Sequence, residues 1–459
     1  MFLVISFFSG ALACLGFAPN GIWPAPIISL FIQFNLLKRS TLSRRLLISY
    51  LFGLGILLPN QFWTGTYVGN LPWIALAIMQ SFLFLPMAFV SPNGGKFNPW
   101  IFSCSVVVVE LALRTIPFTG FGWSRLSFTQ TDGFFTSLYP FIGSAGVIFL
   151  ISLLVATRKP LIFVSILLIT LSINFLDISE RSSGEIRIAL VQGGVSNLGL
   201  DFNSTPREVF QRHLLQTKSK LSKNQVDLII WPENSVDVDL FSYKDVEDSL
   251  TELSKLLNTP ILVGGISRTS GNLQNISVLF KPEVSDTYIK RYLSPFGEYI
   301  PLRSLVEKFS SLTKEVDDFS AGISGNSMKI HNFDFQIFIC YELLNDAFRN
   351  EINSDFLVVQ TNNATFGDTA QLDQELQIAK VRALESGREV AYVSTTGVTS
   401  FIDRNGQIKS EIPKFKSDVL IDTVSIYSDL QINQKLGSTT EIFAIFMLIL
   451  LIIRSRRAK

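Results

Sequence analysis

The chain has 459 residues, of which 47% are hydrophobic and 39 are phenylalanine, and its mean hydropathy is +0.35. A composition this apolar excludes an ordinary soluble multidomain protein and favours a membrane protein. The formal net charge is +1 and no basic patch stands out, so no nucleic-acid partner is expected.

Apolar runs indicate about eight transmembrane helices. A spanning helix needs about 20 apolar residues. The shorter runs therefore depend on flanking residues or on neighbouring helices. The runs cover residues 2–18, 22–37, 45–63, 72–90, 100–116, 137–157, 160–177 and 441–453.

Basic residues in the connecting loops predict the orientation of these spans. Loop 38–45 and the C-terminal tail from 454 hold four basic residues each, Lys96 lies in the next such loop, and residues 158–159 are Arg-Lys. The alternate loops are nearly free of positive charge. Because basic loops remain in the cytoplasm, the N-terminus is predicted to be cytoplasmic and residues 178–440 extracytoplasmic.

The first run also has a weak likeness to a lipoprotein signal peptide. The letters "ALAC" end at Cys14, where such a peptide would be cleaved. A basic region before the run is missing and six more apolar runs follow, which favours a transmembrane helix.

Residues between the seventh and the last run read as one α/β domain. Several apolar runs there are continuous in Val, Ile and Leu, which indicates strands buried on both faces. We predict a seven-helix membrane domain (1–177), an extracytoplasmic domain (178–435) and a last helix with a basic tail (436–459). Predicted strands cover 185–192, 226–233, 260–267, 275–281, 335–342, 355–362, 390–397 and 398–403, and predicted helices cover 205–222, 243–257 and 369–387.

Histidine chemistry and cofactor chemistry find little support. The two histidines, His213 and His331, are far apart in sequence, which argues against a zinc site and against a Ser-His-Asp triad. The segment "VQGGVSNLG" lacks the lysine and the spacing of a phosphate-binding loop. We therefore predict neither a metal nor a cofactor.

Three strand-like stretches end in a reactive side chain. Glu233 ends "DLIIWPE", Lys290 ends "DTYIK" and Cys340 ends "FQIFIC". Strand ends of α/β enzymes hold catalytic groups rigidly at a cleft. A thiol needs a base to become a nucleophile, and without a suitable histidine a carboxylate can take its proton while an ammonium stabilises an oxyanion. These residue types therefore fit a cysteine nucleophile, a glutamate base and a lysine cation.

Each of the three residues also has an ordinary structural interpretation. Glu233 could be a helix N-cap, Lys290 a solvated charge on a sheet edge, and Cys340 a small core residue. A disulfide is not expected, because Cys14 and Cys104 lie within predicted spans.

The contexts "WPENS", "YIKRYLSPFGEYIP" and "FICYE" resemble the carbon-nitrogen hydrolase (nitrilase) superfamily. The segments "QTNNATFG" and "QLDQELQIAKVRALESGREVAYVSTTGVTSFID", with the eight runs, resemble one branch of it, the apolipoprotein N-acyltransferase family. The resemblance implies a nitrilase-like αββα sandwich. It also implies that Cys340 is the nucleophile, Glu233 the base and Lys290 the oxyanion cation, with support from Glu298, Tyr341 and Glu342.

Two features depart from that family's pattern. No tryptophan follows the first strand, and Thr365 stands where tryptophan is usual. The resemblance implies acyl transfer, through a cysteine thioester, from a membrane phospholipid to diacylglyceryl-modified apolipoproteins in a bacterial plasma membrane. Segments 237–243 and 307–319 would then be flaps over the cleft, or ordinary packed loops.

Two rival functions remain from the sequence. One is a membrane-anchored amidase of the same fold, which the three residues cannot distinguish from an acyltransferase. The other is a transporter, for which the buried acidic Glu110 is the only candidate relay. Glu110 lies about one turn from Arg114, so an ion pair within that helix, or a contact to a lipid headgroup, is expected.

Overall fold

The structure is a computed structural model that describes residues 1–91, 95–157, 159–175, 182–269, 271–307, 317–347 and 351–457. It divides into two compact units. We call Met1–Ser179, Leu384–Ser386 and Leu430–Lys459 the helical unit, and Glu180–Ala383 with Gly387–Asp429 the sandwich unit.

Every predicted apolar run contains a helix. The helices are α1 (Phe2–Ala13), α2 (Pro24–Lys38), α3 (Leu42–Asn60), α4 (Asn70–Ser81), α5 (Asn98–Thr115), α6 (Tyr139–Ala156), α7 (Pro160–Phe175), α8 (Glu208–Lys220), α9 (Lys244–Leu257), α10 (Arg303–Val306), α11 (Gln371–Ser386), α12 (Ile432–Leu436) and α13 (Thr439–Arg457).

By length and composition, three helical segments among the described residues could cross a membrane: Leu42–Asn60, Asn70–Phe89 and Thr136–Ala156. Phe2–Gly16 and Pro160–Phe175 are apolar but shorter. The second segment changes from α4 to a 3-10 helix at Phe82. A total of eight spans therefore stays a prediction.

Small and hydroxyl-bearing residues let helices α1, α2 and α3 pack closely. A Cβ on Gly10 would lie 2.2 Å from the Phe52 carbonyl oxygen, and one on Gly55 would lie 2.1 Å from that of Phe7. The Ser6 hydroxyl donates to Gln33 at 2.9 Å. Such small-residue contacts and buried hydrogen bonds are typical of packing between membrane helices.

The sandwich unit contains two sheets. Its strands are β1 (Gly184–Gln192), β2 (Leu228–Ile230), β3 (Val236–Asp239), β4 (Ile261–Thr269), β5 (Asn272–Phe280), β6 (Val284–Ile289), β7 (Ser327–Ile330), β8 (Phe333–Ile339), β9 (Phe356–Thr361), β10 (Val390–Ser394), β11 (Thr399–Ile402), β12 (Ile408–Ile412) and β13 (Asp418–Ile426). The first sheet has the order β13-β1-β2-β4-β5-β6 with β3 beside β4, and the second has the order β12-β11-β10-β9-β8-β7.

The two sheets pack against each other through alternate side chains of their central strands. On β2, Leu228 and Ile230 face the second sheet, where Ile337 is part of the same cluster. Ile229 and Trp231 face α8 and α9 on the other side. Each such buried aliphatic side chain contributes about 1.5–3 kcal/mol. The predicted burial of these strands on both faces is confirmed.

Helix α11 covers the second sheet, so the layer order is helix, sheet, sheet, helix. One face of this helix is apolar and buried. The opposite face carries charged residues and is buried as well: Arg382 pairs with Asp346 at 2.8 Å, and Glu375 accepts a hydrogen bond from Thr361 of β9 at 2.9 Å. The charged residues of this helix therefore do not form a solvent-exposed face.

Several strands were not predicted from the sequence. β13 has the letters "DVLIDTVSI", yet it pairs along nine residues with β1 at the edge of the first sheet. β3, β6, β7 and β12 are short or polar. Edge strands are solvated on one side, so their sequences lack a continuous apolar signal.

Candidate active site

The predicted base and the predicted cation meet in a buried site. Lys290 follows β6 and Glu233 follows β2, and the Lys290 Nζ lies 3.4 Å from Glu233 Oε1. Glu298 lies on the other side of the ammonium, with its Oε1 at 3.0 Å and its Oε2 at 2.9 Å. Lys290 is 1% exposed and Glu233 is 5% exposed. The interpretations of Lys290 as a solvated edge charge and of Glu233 as a helix cap are therefore wrong.

Asn275, which the sequence analysis missed, holds the two carboxylates together. Its Nδ2 donates to Glu233 Oε1 at 2.8 Å and to Glu298 Oε1 at 2.7 Å. The second oxygen of Glu233 accepts the Asn362 N–H at 2.9 Å. A polar residue inside the apolar strand "NISVLF" was the available signal, since a buried amide needs partners.

Cys340 begins a 3-10 turn (Cys340–Leu344) directly after β8. Its φ is +48°, a left-handed conformation that is unfavourable for a residue with a side chain. Such backbone strain is concentrated at functional sites. Cys340 is partly buried, and it packs at the edge of the cluster between the sheets.

Glu342 fastens this turn to the segment that carries Lys290. Its Oε2 accepts the Ile339 N–H at 2.9 Å, and its Oε1 accepts the Tyr288 hydroxyl at 2.7 Å and the Arg291 N–H at 2.8 Å. Burial raises the pKa of Glu342 to about 7, against these hydrogen bonds. Glu342 thus fixes the backbone before Cys340 and after Lys290. Tyr341 is buried beside Glu342.

Burial and neighbouring charges shift the pKa values of the groups in the site. Burial raises the pKa of Glu233 and Glu298 raises it further, while Lys290 lowers it. Burial lowers the pKa of Lys290, but Glu298 and Glu233 outweigh this and raise it above the ordinary lysine value. Burial raises the pKa of the Cys340 thiol, and Glu375 and Glu233 raise it further. The thiol therefore needs a base at the moment of attack.

The structure describes parts of the two segments that were predicted as flaps. Residues 236–239 form β3, and the Asp237 carboxylate accepts the Phe210 N–H at 3.3 Å, so only the second half of segment 237–243 has the half-exposed side chains Phe241 and Tyr243. Most of segment 307–319 lies outside the described residues.

Among the described residues, no group of His, Cys, Asp and Glu is arranged to hold a metal ion.

Glu110 of the helical unit does not form the predicted contacts. It accepts the Ser127 N–H at 2.8 Å and the Ser127 hydroxyl at 2.7 Å, and it faces Arg125 Nε at 3.5 Å. Arg114 pairs with Glu441 at 2.8 Å. Glu110 is 4% exposed, which corrects the expectation of a headgroup contact.

Comparison with known families agrees with this geometry. Residues 187–428, more than half of the chain, match the model of the carbon-nitrogen hydrolase family. The chain therefore belongs to the carbon-nitrogen hydrolase family. Residues 9–157 match the model of the apolipoprotein N-acyltransferase N-terminal domain.

Full-length relatives carry the name of the same branch. An apolipoprotein N-acyltransferase of Wigglesworthia glossinidia brevipalpis is 29% identical over 456 residues, which is 91% of this chain and 90% of that protein. One of Mycolicibacterium smegmatis is 28% identical over 92% of this chain and 80% of its own length. The predicted resemblance to this branch is confirmed.

Two solved structures align with about half of the chain. A carbon-nitrogen hydrolase superfamily protein of Xanthomonas campestris has a TM-score of 0.41 and 19% identity, covering 53% of this chain and 91% of that chain. A branch 10 nitrilase superfamily member of Saccharomyces cerevisiae has a TM-score of 0.39 and 16% identity, covering 54% and 92%.

Proposed function

We propose that the protein is an apolipoprotein N-acyltransferase that carries the acyl chain as a thioester on Cys340. The observation that supports this most strongly is the buried pair of Glu233 and Lys290, whose charges act on the Cys340 thiol, in a chain whose residues 9–157 match the acyltransferase N-terminal domain. The acyl donor is a membrane phospholipid, and the acceptor is the α-amino group of a diacylglyceryl-modified N-terminal cysteine.

The first half-reaction moves the acyl chain to the enzyme. Glu233 takes the proton of the Cys340 thiol while the sulfur attacks the carbonyl carbon of the phospholipid ester. The tetrahedral intermediate then breaks its carbon–oxygen bond, and the departing glycerol oxygen takes the proton back from Glu233. A thioester divides one hard transfer into two easier steps.

The second half-reaction moves the chain to the amine. The neutral amine attacks the thioester carbon and gives a proton to Glu233, and the carbon–sulfur bond breaks. The proton then goes to the sulfur, which restores the thiol. An amide and a free enzyme result.

Lys290 stabilises the oxyanion in both steps, because a buried ammonium acts more strongly on developing charge than water does. Glu298 and Asn275 keep the ammonium and the base in position, and Asn275 also fixes the Glu233 oxygen nearest to Lys290. Glu342 holds the turn that starts at Cys340, and Tyr341 supports the pocket beside the nucleophile.

The membrane arrangement that fits this function is the predicted one, with eight spans in a bacterial plasma membrane and residues 178–440 outside the cytoplasm. Both substrates have their chains in the bilayer, so a polytopic enzyme can reach them. A reporter fused after residue 45 or at the C-terminus should read cytoplasmic, and one inserted near residue 270 should read extracytoplasmic. Labelling of residues 38–45 from outside the cell would disprove this orientation.

The decisive experiment is intact-mass spectrometry of the protein purified in native lipid. We expect an added fatty-acyl mass on Cys340 that hydroxylamine removes, and its disappearance when a diacylglyceryl peptide is added, with N-acylated peptide as product. Cys340→Ala should abolish both the adduct and the product. Substantial acylation of the peptide by Cys340→Ala would disprove the thioester route, and release of free fatty acid instead of acylated peptide would favour the amidase-type alternative.

A further inference from the structure

A layer of hydrogen bonds joins the two sheets directly beneath the site. Gln360 of β9 belongs to the second sheet, and its side chain reaches across to the first. Its Nε2 donates to the Trp231 carbonyl oxygen at 2.6 Å, and its Oε1 accepts the Ser277 hydroxyl at 2.6 Å. Gln360 and Ser277 are fully buried. Because a carbonyl oxygen can only accept, the contact with Trp231 fixes which end of the amide faces which partner.

The layer joins the same three elements that hold the predicted base. The Glu233 carboxylate is held by Asn275 Nδ2 at 2.8 Å and by the Asn362 N–H at 2.9 Å. Each member of the layer lies two residues from a member of the site: Trp231 before Glu233, Ser277 after Asn275, and Gln360 before Asn362. Positions two apart on a strand share a face. The layer therefore repeats, one step deeper in the sandwich, the connections around the base.

Stability alone does not explain a glutamine at this depth. One further step along the strands, the space between the sheets is filled by apolar side chains, among them Leu279 of β5 and Val358 of β9. An apolar side chain of the same length would continue this packing, and replacing both partners of a buried hydrogen bond by apolar groups can be nearly neutral. Hydrogen bonds differ from apolar contacts in having a narrow range of length and angle, so they specify one spacing between the sheets.

Gln360 and Glu233 are members of one closed ring. From Trp231, one path follows the backbone to Glu233, and the other crosses to Gln360 and follows the backbone to the Asn362 N–H, which returns to Glu233 Oε2. Two hydrogen bonds close this ring, so a change in sheet spacing at one of them changes the length of the other. Hydrogen bonds to a carboxylate favour its ionised form, and their length therefore sets how readily Glu233 ionises.

We propose that Gln360 is a positioning residue that, with Ser277, holds the two sheets at the separation at which Asn275 and the Asn362 N–H both reach Glu233. The inference deepens the proposed function and rests on it for the role of Glu233 as the base. The titratable groups around Glu233 stay in place when Gln360 or Ser277 is changed, and these groups are Lys290, Glu298, Glu375 and Cys340.

The test measures the rate of Cys340 acylation at a series of pH values. Full-length protein in detergent is treated with hydroxylamine, then mixed with dioleoyl phosphatidylethanolamine, and the thioester is quantified by intact-mass spectrometry. The lower midpoint of the rate profile reports ionisation of the base. Gln360→Met should raise this midpoint by about one pH unit, because the carboxylate loses part of its hydrogen bonding, and acylation below the midpoint should be about tenfold slower.

The matched control is Gln336→Met, which removes a buried glutamine from the neighbouring strand β8. The Gln336 Nε2 donates to Asn326 Oδ1 at 3.0 Å, and Phe335 and Ile337 on either side of it face the other sheet, so Gln336 lies on the opposite face. We expect a lower unfolding temperature and an unchanged midpoint. A Gln360→Met midpoint within about 0.3 units of this control, or below it, overturns the proposal. Absence of acylation in the wild-type protein would overturn the proposed function, and this inference with it.

Ser277 separates positioning from a loss of stability. Adding Ser277→Ala to Gln360→Met removes the hydroxyl that the first change deprives of its acceptor, so the unfolding temperature should recover while the midpoint stays raised. A midpoint that returns to the wild-type value together with stability overturns the positioning role. If Gln360→Met does not fold, Ser277→Thr should keep the wild-type midpoint and Ser277→Ala should raise it by about 0.5 units, and an unchanged Ser277→Ala midpoint overturns the proposal.

A double-mutant cycle tests whether Gln360 acts through the base. In a Glu233→Gln background, Gln360→Met should slow acylation by less than about threefold, because the carboxylate that it positions is gone. An equal loss of rate in both backgrounds would show that Gln360 acts elsewhere and overturns the proposal.

Discussion

Both units of the molecule bury an ionic cluster, but the balance of charge differs. In the helical unit, Glu110 faces one guanidinium, that of Arg125, and also accepts two hydrogen bonds from Ser127. In the sandwich unit, one ammonium, that of Lys290, faces two carboxylates. The carboxylate of the first cluster faces a guanidinium and accepts hydrogen bonds, whereas the second cluster places two carboxylates around one ammonium.

The difference separates a structural cluster from a chemical one. A buried carboxylate held by a guanidinium and by further hydrogen bonds stabilises the fold, and removing one partner of such a pair is strongly destabilising. Two carboxylates around one ammonium leave one of them able to accept a proton, which raises its pKa toward the range of a useful base. We therefore expect changes in the first cluster to alter stability and changes in the second to alter chemistry.

The largest effect is expected for Lys290→Arg. The charge remains, but a planar fork replaces a point donor between Glu233 and Glu298, so acyl transfer should be lost while the protein still folds. Thioester formation on Cys340 and circular dichroism check the two parts. Lys409→Arg, at a lysine that pairs with Glu389 in the same unit, should remain active. Near-normal activity of Lys290→Arg would place Lys290 outside the chemistry.

Glu233→Gln should slow acylation of Cys340 by about 10²–10⁴-fold, because the general base is gone and the thiol remains. Raising the pH should partly restore the rate, since the thiolate then forms without help. Stopped reactions analysed by mass spectrometry at several pH values measure this. A control at a partly exposed site is Glu247→Gln, which removes one of two carboxylate partners of Lys244. A rate loss below tenfold would assign the base to another group.

Glu110→Gln should act on stability alone. Removing the carboxylate takes away a partner of the buried Arg125 guanidinium, and breaking a buried pair costs about 3–5 kcal/mol. We expect a lower apparent unfolding temperature and lower yield, with unchanged activity per folded molecule. A tenfold loss of activity at an unchanged unfolding temperature would show that this cluster takes part in chemistry and would break the comparison.

Glu342→Gln should change how stability depends on pH. The folded pKa of Glu342 is about 7 and its ordinary value is 4.5, so the folded protein binds more protons between these two pH values. The contribution of Glu342 to stability is therefore fully present below about pH 4.5 and is lost, by about 1–3 kcal/mol, as the pH rises from about 4.5 to about 7. The variant lacks this slope, so the wild-type unfolding temperature should drop relative to the variant between pH 5 and 7.5. Parallel pH dependences would contradict the assignment.

The sequence by itself determined the strong local patterns of this protein. Continuous apolar runs located the helices of the helical unit, and Val- and Ile-rich runs located most strands of the two sheets. Strand ends located Glu233, Lys290 and Cys340, since a buried strand must end where its chain leaves the core. Periodicity is a local property, so these features need no knowledge of the rest of the chain.

Only the tertiary structure decided which side chains meet. Asn275 and Glu233 are 42 residues apart, and the Asn362 N–H reaches Glu233 across 129 residues. Sheet order and strand register set these contacts, and a short stretch of the sequence specifies neither of them. Glu375 shows the same limit, because its position in the helix does not indicate burial, whereas β9 places the Thr361 hydroxyl 2.9 Å from its buried carboxyl group.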